Sequence, residues 1–183
     1  TRFAAEKAEL TFINAHDPGK AKKDIKELKR LAHEKFGRDP DSIKIITMAT
    51  PVVAPTHEEA VEKLELIRKC LFKVAPVIGF GAQSHVDLAK FDWDEPVIIG
   101  QTEGGRSVTE NLGKKDGKAL TKRQFIENGQ KVTTLVGNPN EVADGLQIFS
   151  EAVGIDGDYL IFPAWPDSLE TFVDRVLPGL HNT

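Results

Sequence analysis

The chain has 183 residues, with 24 Lys and Arg against 28 Asp and Glu and a formal net charge of -4. That length suits one well-buried domain over 1–183 and is short for two, while the acidic balance offers no broad cationic surface for phosphodiesters and excludes nucleic acid as a partner. One cysteine, Cys70, forms no internal disulfide, and no apolar run approaches the roughly 18 residues that span a bilayer; the expectation is a soluble, cytoplasmic protein with no membrane contact.

Residues 3–9 suit one or two helical turns, followed by a short strand at Leu10-Thr11-Phe12-Ile13 that ends at Asn14-Ala15. Asp17 is a helix N-cap and Pro18 a first helical residue; Ala21, Ile25, Leu28, Ala32 and Phe36 recur at helical spacing, and Gly37 closes the helix. Its other face, Lys20, Lys22, Lys23, Lys26, Lys29 and Arg30, reads as solvated. Ile43-Lys44-Ile45-Ile46-Thr47-Met48 is apolar, β-branched and short, the pattern of a buried strand. Thr56 and Glu59 form a capping box for a helix with the stripe Ala60, Leu64, Ile67, Leu71 and Val74.

Between 75 and 131 the pattern loosens into Gly-rich and charged sequence, an excursion from the core broken by one short helix near 122–128. Alternation resumes with a weaker strand at Val132-Thr133-Thr134-Leu135-Val136. Asn138, Pro139 and Glu141 then open a helix with inner face Val142, Leu146, Phe149 and Val153, closed by Gly154. Tyr159-Leu160-Ile161-Phe162 is a buried strand, and Asp167 opens a last helix through Leu169, Phe172, Val173, Val176 and Leu177. Alternating strand and helix predict a parallel α/β sheet or barrel. The strands are too few to close an eight-stranded barrel, so an exposed hydrophobic edge is expected.

Self-contained chemistry is not visible. Gly79-Phe80-Gly81-Ala82 mimics the start of a dinucleotide fingerprint but lacks its third glycine and a following long helix. His16, His33, His57, His85 and His181 show no metal-ligand spacing, so no bound metal is expected, and Cys70 reads as a small hydrophobe beside its helix stripe. Trp93, Trp165, Phe80 and Phe91 read as packing aromatics. No P-loop and no nucleophile elbow is present. The first residues, Thr1-Arg2-Phe3-Ala4, lack an initiator Met and the layout of a secretion signal, and read as the middle of a longer protein.

Three segments together resemble one family. Arg2-Phe3-Ala4-Ala5-Glu6-Lys7-Ala8-Glu9 runs into Leu10-Thr11-Phe12-Ile13; Gly37-Arg38-Asp39-Pro40-Asp41-Ser42-Ile43-Lys44-Ile45 runs on to Pro51-Val52-Val53 and Thr56-His57-Glu58-Glu59-Ala60; and Val136-Gly137-Asn138-Pro139-Asn140-Glu141 joins Asp156-Gly157-Asp158-Tyr159-Leu160-Ile161. These are similar to the bacterial-luciferase-like FMN-dependent monooxygenases, in the subgroup that acts on nitrilotriacetate, EDTA and dibenzothiophene sulfone. The excursion at 75–131, with Gln83-Ser84-His85-Val86-Asp87-Leu88 and Leu120-Thr121-Lys122-Arg123-Gln124, resembles that subgroup's insertion before the last barrel segment.

The resemblance implies the C-terminal half of a TIM-type (β/α)8 barrel whose site lies at the C-terminal ends of the strands. It implies reduced FMN supplied by a separate flavin reductase, O2, and a small organic substrate. The partners implied are that reductase and a missing N-terminal barrel half, or a homo-oligomer in its place. The family's phosphate loop would end at Thr1 and Arg2, with Thr1 at the position that is basic in the family. Asn14, His16, Thr50 and Phe162 are pocket candidates just beyond strand ends, and no catalytic residue is assigned. The rival reading is a non-catalytic half-barrel that oligomerises or binds flavin; a deazaflavin-dependent reductase branch is a third, which the insertion disfavours.

Overall fold

Residues 43–53 carry apolar or β-branched side chains on both sides of the chain. In the computed structural model, which describes residues 1–71, 87–97, 114–115, 118–129 and 133–180, they become a hub strand, β2 (Lys44–Val53). Three strands pair with it, all parallel. β1 (Leu10–Phe12) lies along Lys44 to Ile46, β6 (Gly157–Leu160) along Ile46 to Ala49, and β5 (Thr133–Gly137) along Ala49 to Val53. The class is α/β with a parallel sheet.

β2 is longer than its sequence alone suggests, because Ala49 to Val53 find their partner in β5, more than eighty residues downstream. Pro51 sits inside it without an N–H to donate. Ile45 and Ala49 carbonyls accept from Asp156 and Ile161 on the β6 side, and the β6 ladder ends at Ala49, so the missing donor at Pro51 has no bond to lose there.

Caps set the helices around this sheet. α1 (Arg2–Lys7) precedes β1, and α2 (Pro18–Phe36) starts where Asp17 accepts from the Lys20 amide and stops at Gly37, whose φ of 62° is left-handed. The Thr56 and Glu59 capping box opens α3 (His57–Leu71), with each residue's side chain accepting from the other's amide. Asn138 and Glu141 do the same for α5 (Pro139–Val153). Ala21, Ile25, Leu28 and Ala32 of α2 pack with Ile43, Ile45 and Val153, and a second cluster joins Ala49 and Val53 to Val142, Leu146, Phe172 and Val176.

The last helix differs from the expected single run. It divides into α6 (Asp167–Arg175) and one turn, α7 (Leu177–Leu180), because Pro178 has no N–H for the Asp174 carbonyl and its ring would crowd it. Ser168 and Phe172 of α6 and its C-cap Val176, four residues apart, form the buried stripe, which leaves the neighbouring Val173 exposed.

The chain divides into two compact units, Thr1–Glu65 with Val132–Thr183, and Leu66–Lys131. The second contains a 3-10 turn at Leu88–Lys90, a two-residue antiparallel pair β3 (Lys114–Lys115) and β4 (Lys118–Ala119), and α4 (Lys122–Gly129). Leu88, Val97, Leu120 and Ile126 are buried there. Trp93 lies 5.0 Å from the Lys122 ammonium and 5.6 Å from the Arg123 guanidinium. Gly79 to Ala82, Phe80, His85, His181 and the side chain of Cys70 lie outside the described residues.

Candidate functional site

Register sorts the sheet's side chains into two faces. Ile45, Thr47 and Ala49 of β2 are buried toward the helices, and the Thr47 hydroxyl donates to the Ile13 carbonyl at 2.9 Å. On the other face Phe12 pairs with Ile46 and Tyr159 with Met48. That face is apolar and open: Phe12 is 47% exposed, Tyr159 60% and Leu10 55%. The Phe12 and Tyr159 rings meet edge to face at 6.5 Å across it.

Because the strands are parallel, the segments leaving them all emerge at one end of the sheet. Beyond β1, Ala15 is buried in the core while Asn14 is exposed, which continues the alternation and puts Asn14 on the open face with Phe12. Asn14 Oδ1 accepts from the His16 amide at 3.1 Å and lies 2.7 Å from His16 Nδ1. The backbone donor identifies that atom as oxygen, so Nδ1 carries the ring proton and Nε2 is left as an acceptor. Thr50 lies inside β2, opposite Thr134, and not past its end as the shorter expected strand implied; it too is on the open face. Phe162 points the other way, its ring 5.6 Å from Phe172 among the core residues. Thr1 is the N-cap of α1 without a side-chain cap bond, and Arg2 beside it is exposed.

Two arrangements were not legible in the sequence. At the same end of the sheet, His57 Nδ1 lies 3.1 Å from Glu141 Oε2, which also accepts from the Asn138 amide at 2.8 Å, so one carboxylate ties the starts of α3 and α5. The Asn138 amide, with His57, holds the Glu141 carboxyl below its ordinary range. Space above β5 is tight, and a Cβ on Gly137 would stand 2.8 Å from Glu141 Cβ. The second arrangement is at β6. Asp156 accepts from the Ile45 amide at 2.8 Å and from Lys44 at 3.2 Å, and the amide bond first of all keeps its carboxyl low. Two residues on, burial pushes the Asp158 carboxyl up, with only Ser150 offsetting it.

Among the described residues, no group of three His, Cys, Asp or Glu is placed to hold a metal ion, and no helix is long and apolar enough to cross a membrane.

Comparison with known proteins agrees with this layout. The long-chain alkane monooxygenase of Geobacillus thermodenitrificans is 32% identical over 97% of this chain and 37% of its own length. Nitrilotriacetate monooxygenase component A of Aminobacter aminovorans is 27% identical over 97% of this chain and 41% of its own. The crystal structure of riboflavin lyase with modified FMN and riboflavin superposes with a TM-score of 0.72 at 26% identity, covering 99% of this chain and 40% of that one. The chain thus spans about two fifths of the length of the relatives it matches. The pattern described as Luciferase-like monooxygenase matches residues 1–156, and the chain belongs to that family.

Proposed function

We propose that the chain is the C-terminal portion of a TIM-type (β/α)8 barrel, with 75–131 an insertion before the last barrel segment. It works in a flavin-dependent monooxygenase that takes reduced FMN from a separate flavin reductase in the cytoplasm and oxygenates a small organic substrate with O2. The observation that carries the reading is the open sheet face. Leu10, Phe12, Ile46, Met48 and Tyr159 are the side chains that a closed barrel would turn inward to pack its interior, and Leu10, Phe12 and Tyr159 are exposed. Membership of a family whose relatives are named for oxygenation favours an enzyme over a non-catalytic remnant.

The residues present fit an FMN phosphate. Thr1 and Arg2 place a hydroxyl without a cap bond and an exposed guanidinium at the start of α1, where the first-turn amides have no helical acceptor. When bound, reduced FMN supplies the two electrons that let O2 give one oxygen atom to the substrate and the other to water. Thr1 and Arg2 anchor the phosphate; Asn14 fixes the His16 ring so that Nε2 can accept a hydrogen bond from substrate; Thr50 offers a hydroxyl on the same face; and the aromatic pair Phe12 and Tyr159 keeps that face dry.

Anaerobic titration of the protein with reduced FMN, followed by quenching of its tryptophan fluorescence, tests this. Saturable quenching is expected, and Arg2→Ala should weaken it about tenfold through loss of a charge-assisted contact. A flat titration of the parent protein overturns the proposal.

A further inference from the structure

On the helix side of the sheet, a cleft of about 340 Å³ opens between α5, β6 and the two last helices. Leu146, Leu160, Phe172 and Leu177 line it together with Asp158 and Ser150. Gln147 also borders it, but its amide donates to Glu151 at 3.0 Å. The Ser150 hydroxyl donates to Asp158 Oδ2 at 3.1 Å, while Asp158 Oδ1 is buried without a hydrogen-bond partner. No Lys, Arg or His is among the lining residues. A carboxylate held among leucines with one oxygen unmet is costly, and among the described residues the Ser150 hydroxyl alone offsets it.

We infer that this cleft binds a small organic ammonium ion, with the apolar part against the leucines and Phe172 and the N–H groups on Asp158. The volume lies in the range of small-ligand sites, about 300–1,000 Å³. The only charge among the lining residues is negative, so a cation both fills the unmet hydrogen bond and compensates the charge, which a neutral alcohol of the same shape does not. Oδ1 is covered by its neighbours, and soft rotation about the Asp158 Cβ–Cγ bond brings a carboxylate oxygen to the cleft. The upward push that burial gives this carboxyl is what a bound cation would reverse. The cleft lies on the face opposite Phe12 and Tyr159, so its ligand is not the substrate of the proposed oxygenation.

Phenethylamine is the probe, with 2-phenylethanol as the uncharged control, added to the intact protein carrying 13C-labelled leucine methyls and aspartate carboxyls. The amine should shift the Leu146, Leu160 and Leu177 signals saturably and lower the titration midpoint of Asp158. Asp158→Asn should weaken the amine about tenfold and leave the alcohol unchanged. Ser150→Ala, which keeps the carboxylate, should retain amine binding. Equal amine affinity in the parent and D158N, or unmoved leucine signals, overturns the inference. So does an Asp158 carboxyl that titrates below the ordinary range before amine is added, because a donor from the polypeptide itself would then occupy it. Should D158N not fold, the shift of the parent's Asp158 midpoint decides.

Discussion

At Asp158 an acid lines a cleft with Leu146, Leu160 and Phe172, with Ser150 as its hydrogen-bond donor, and its effect on stability has a definite sign. Its carboxyl titrates above the ordinary range, so its contribution is favourable below that range and is lost as pH rises through the raised value. Asp158→Asn should therefore stabilise the protein at neutral pH and be close to neutral near pH 4. Urea midpoints at the two pH values check this, and a D158N variant less stable at pH 7 contradicts it. The sequence did not disclose this residue, since its surroundings are assembled from β6, α5, α6 and α7. His16 was legible as a strand-end histidine, yet its tautomer depends on the turn made by Asn14.

Among the elements, capped helix ends were legible, while strand lengths and the division of the last helix were not. Asp17, Thr56 with Glu59, and Asn138 with Glu141 act on amides three residues away, and Gly37 and Gly154 need only their own φ, so each signal sits within one turn of its effect. β2 runs on through Thr50-Pro51 because of β5, a partner no local pattern could announce. Phe162 and Val173 likewise took their sides from packing. The caps carry measurable weight: Asn138→Ala and Gly154→Ala, the latter forcing a side chain onto a φ of 79°, should each cost about 1 kcal/mol. In a protein of this size each lowers the melting temperature by roughly 2–4 °C. Melting by circular dichroism reads this, and an unchanged midpoint in N138A would mean the cap is redundant with Glu141.

For the whole molecule, the alternation of strand and helix was enough to give a parallel α/β fold, and the quoted segments were enough to give the family. What lies against the open face could not be read, because those side chains sit in a part of the sheet that the described residues leave uncovered. Met48, the single methionine, lies half-buried on that face and reports on it. If Phe12, Met48 and Tyr159 are interior to a barrel, adding the proposed N-terminal half to this chain should greatly slow the oxidation of Met48 by dilute hydrogen peroxide, read as one added oxygen by mass. An unchanged rate would place the face at a surface.

α1 is six residues long, too short to persist by its own hydrogen bonds. It is held from outside: Arg38 donates to the Ala5 carbonyl at 3.1 Å and the Ala8 carbonyl at 2.6 Å, gripping the end of the helix farthest from Thr1. The aim of Thr1 and Arg2 is thus set by a fork some thirty positions downstream, as a rudder is set by its tiller. Substitutions around Gly37 and Arg38 would steer the tip proposed to hold the phosphate without touching it.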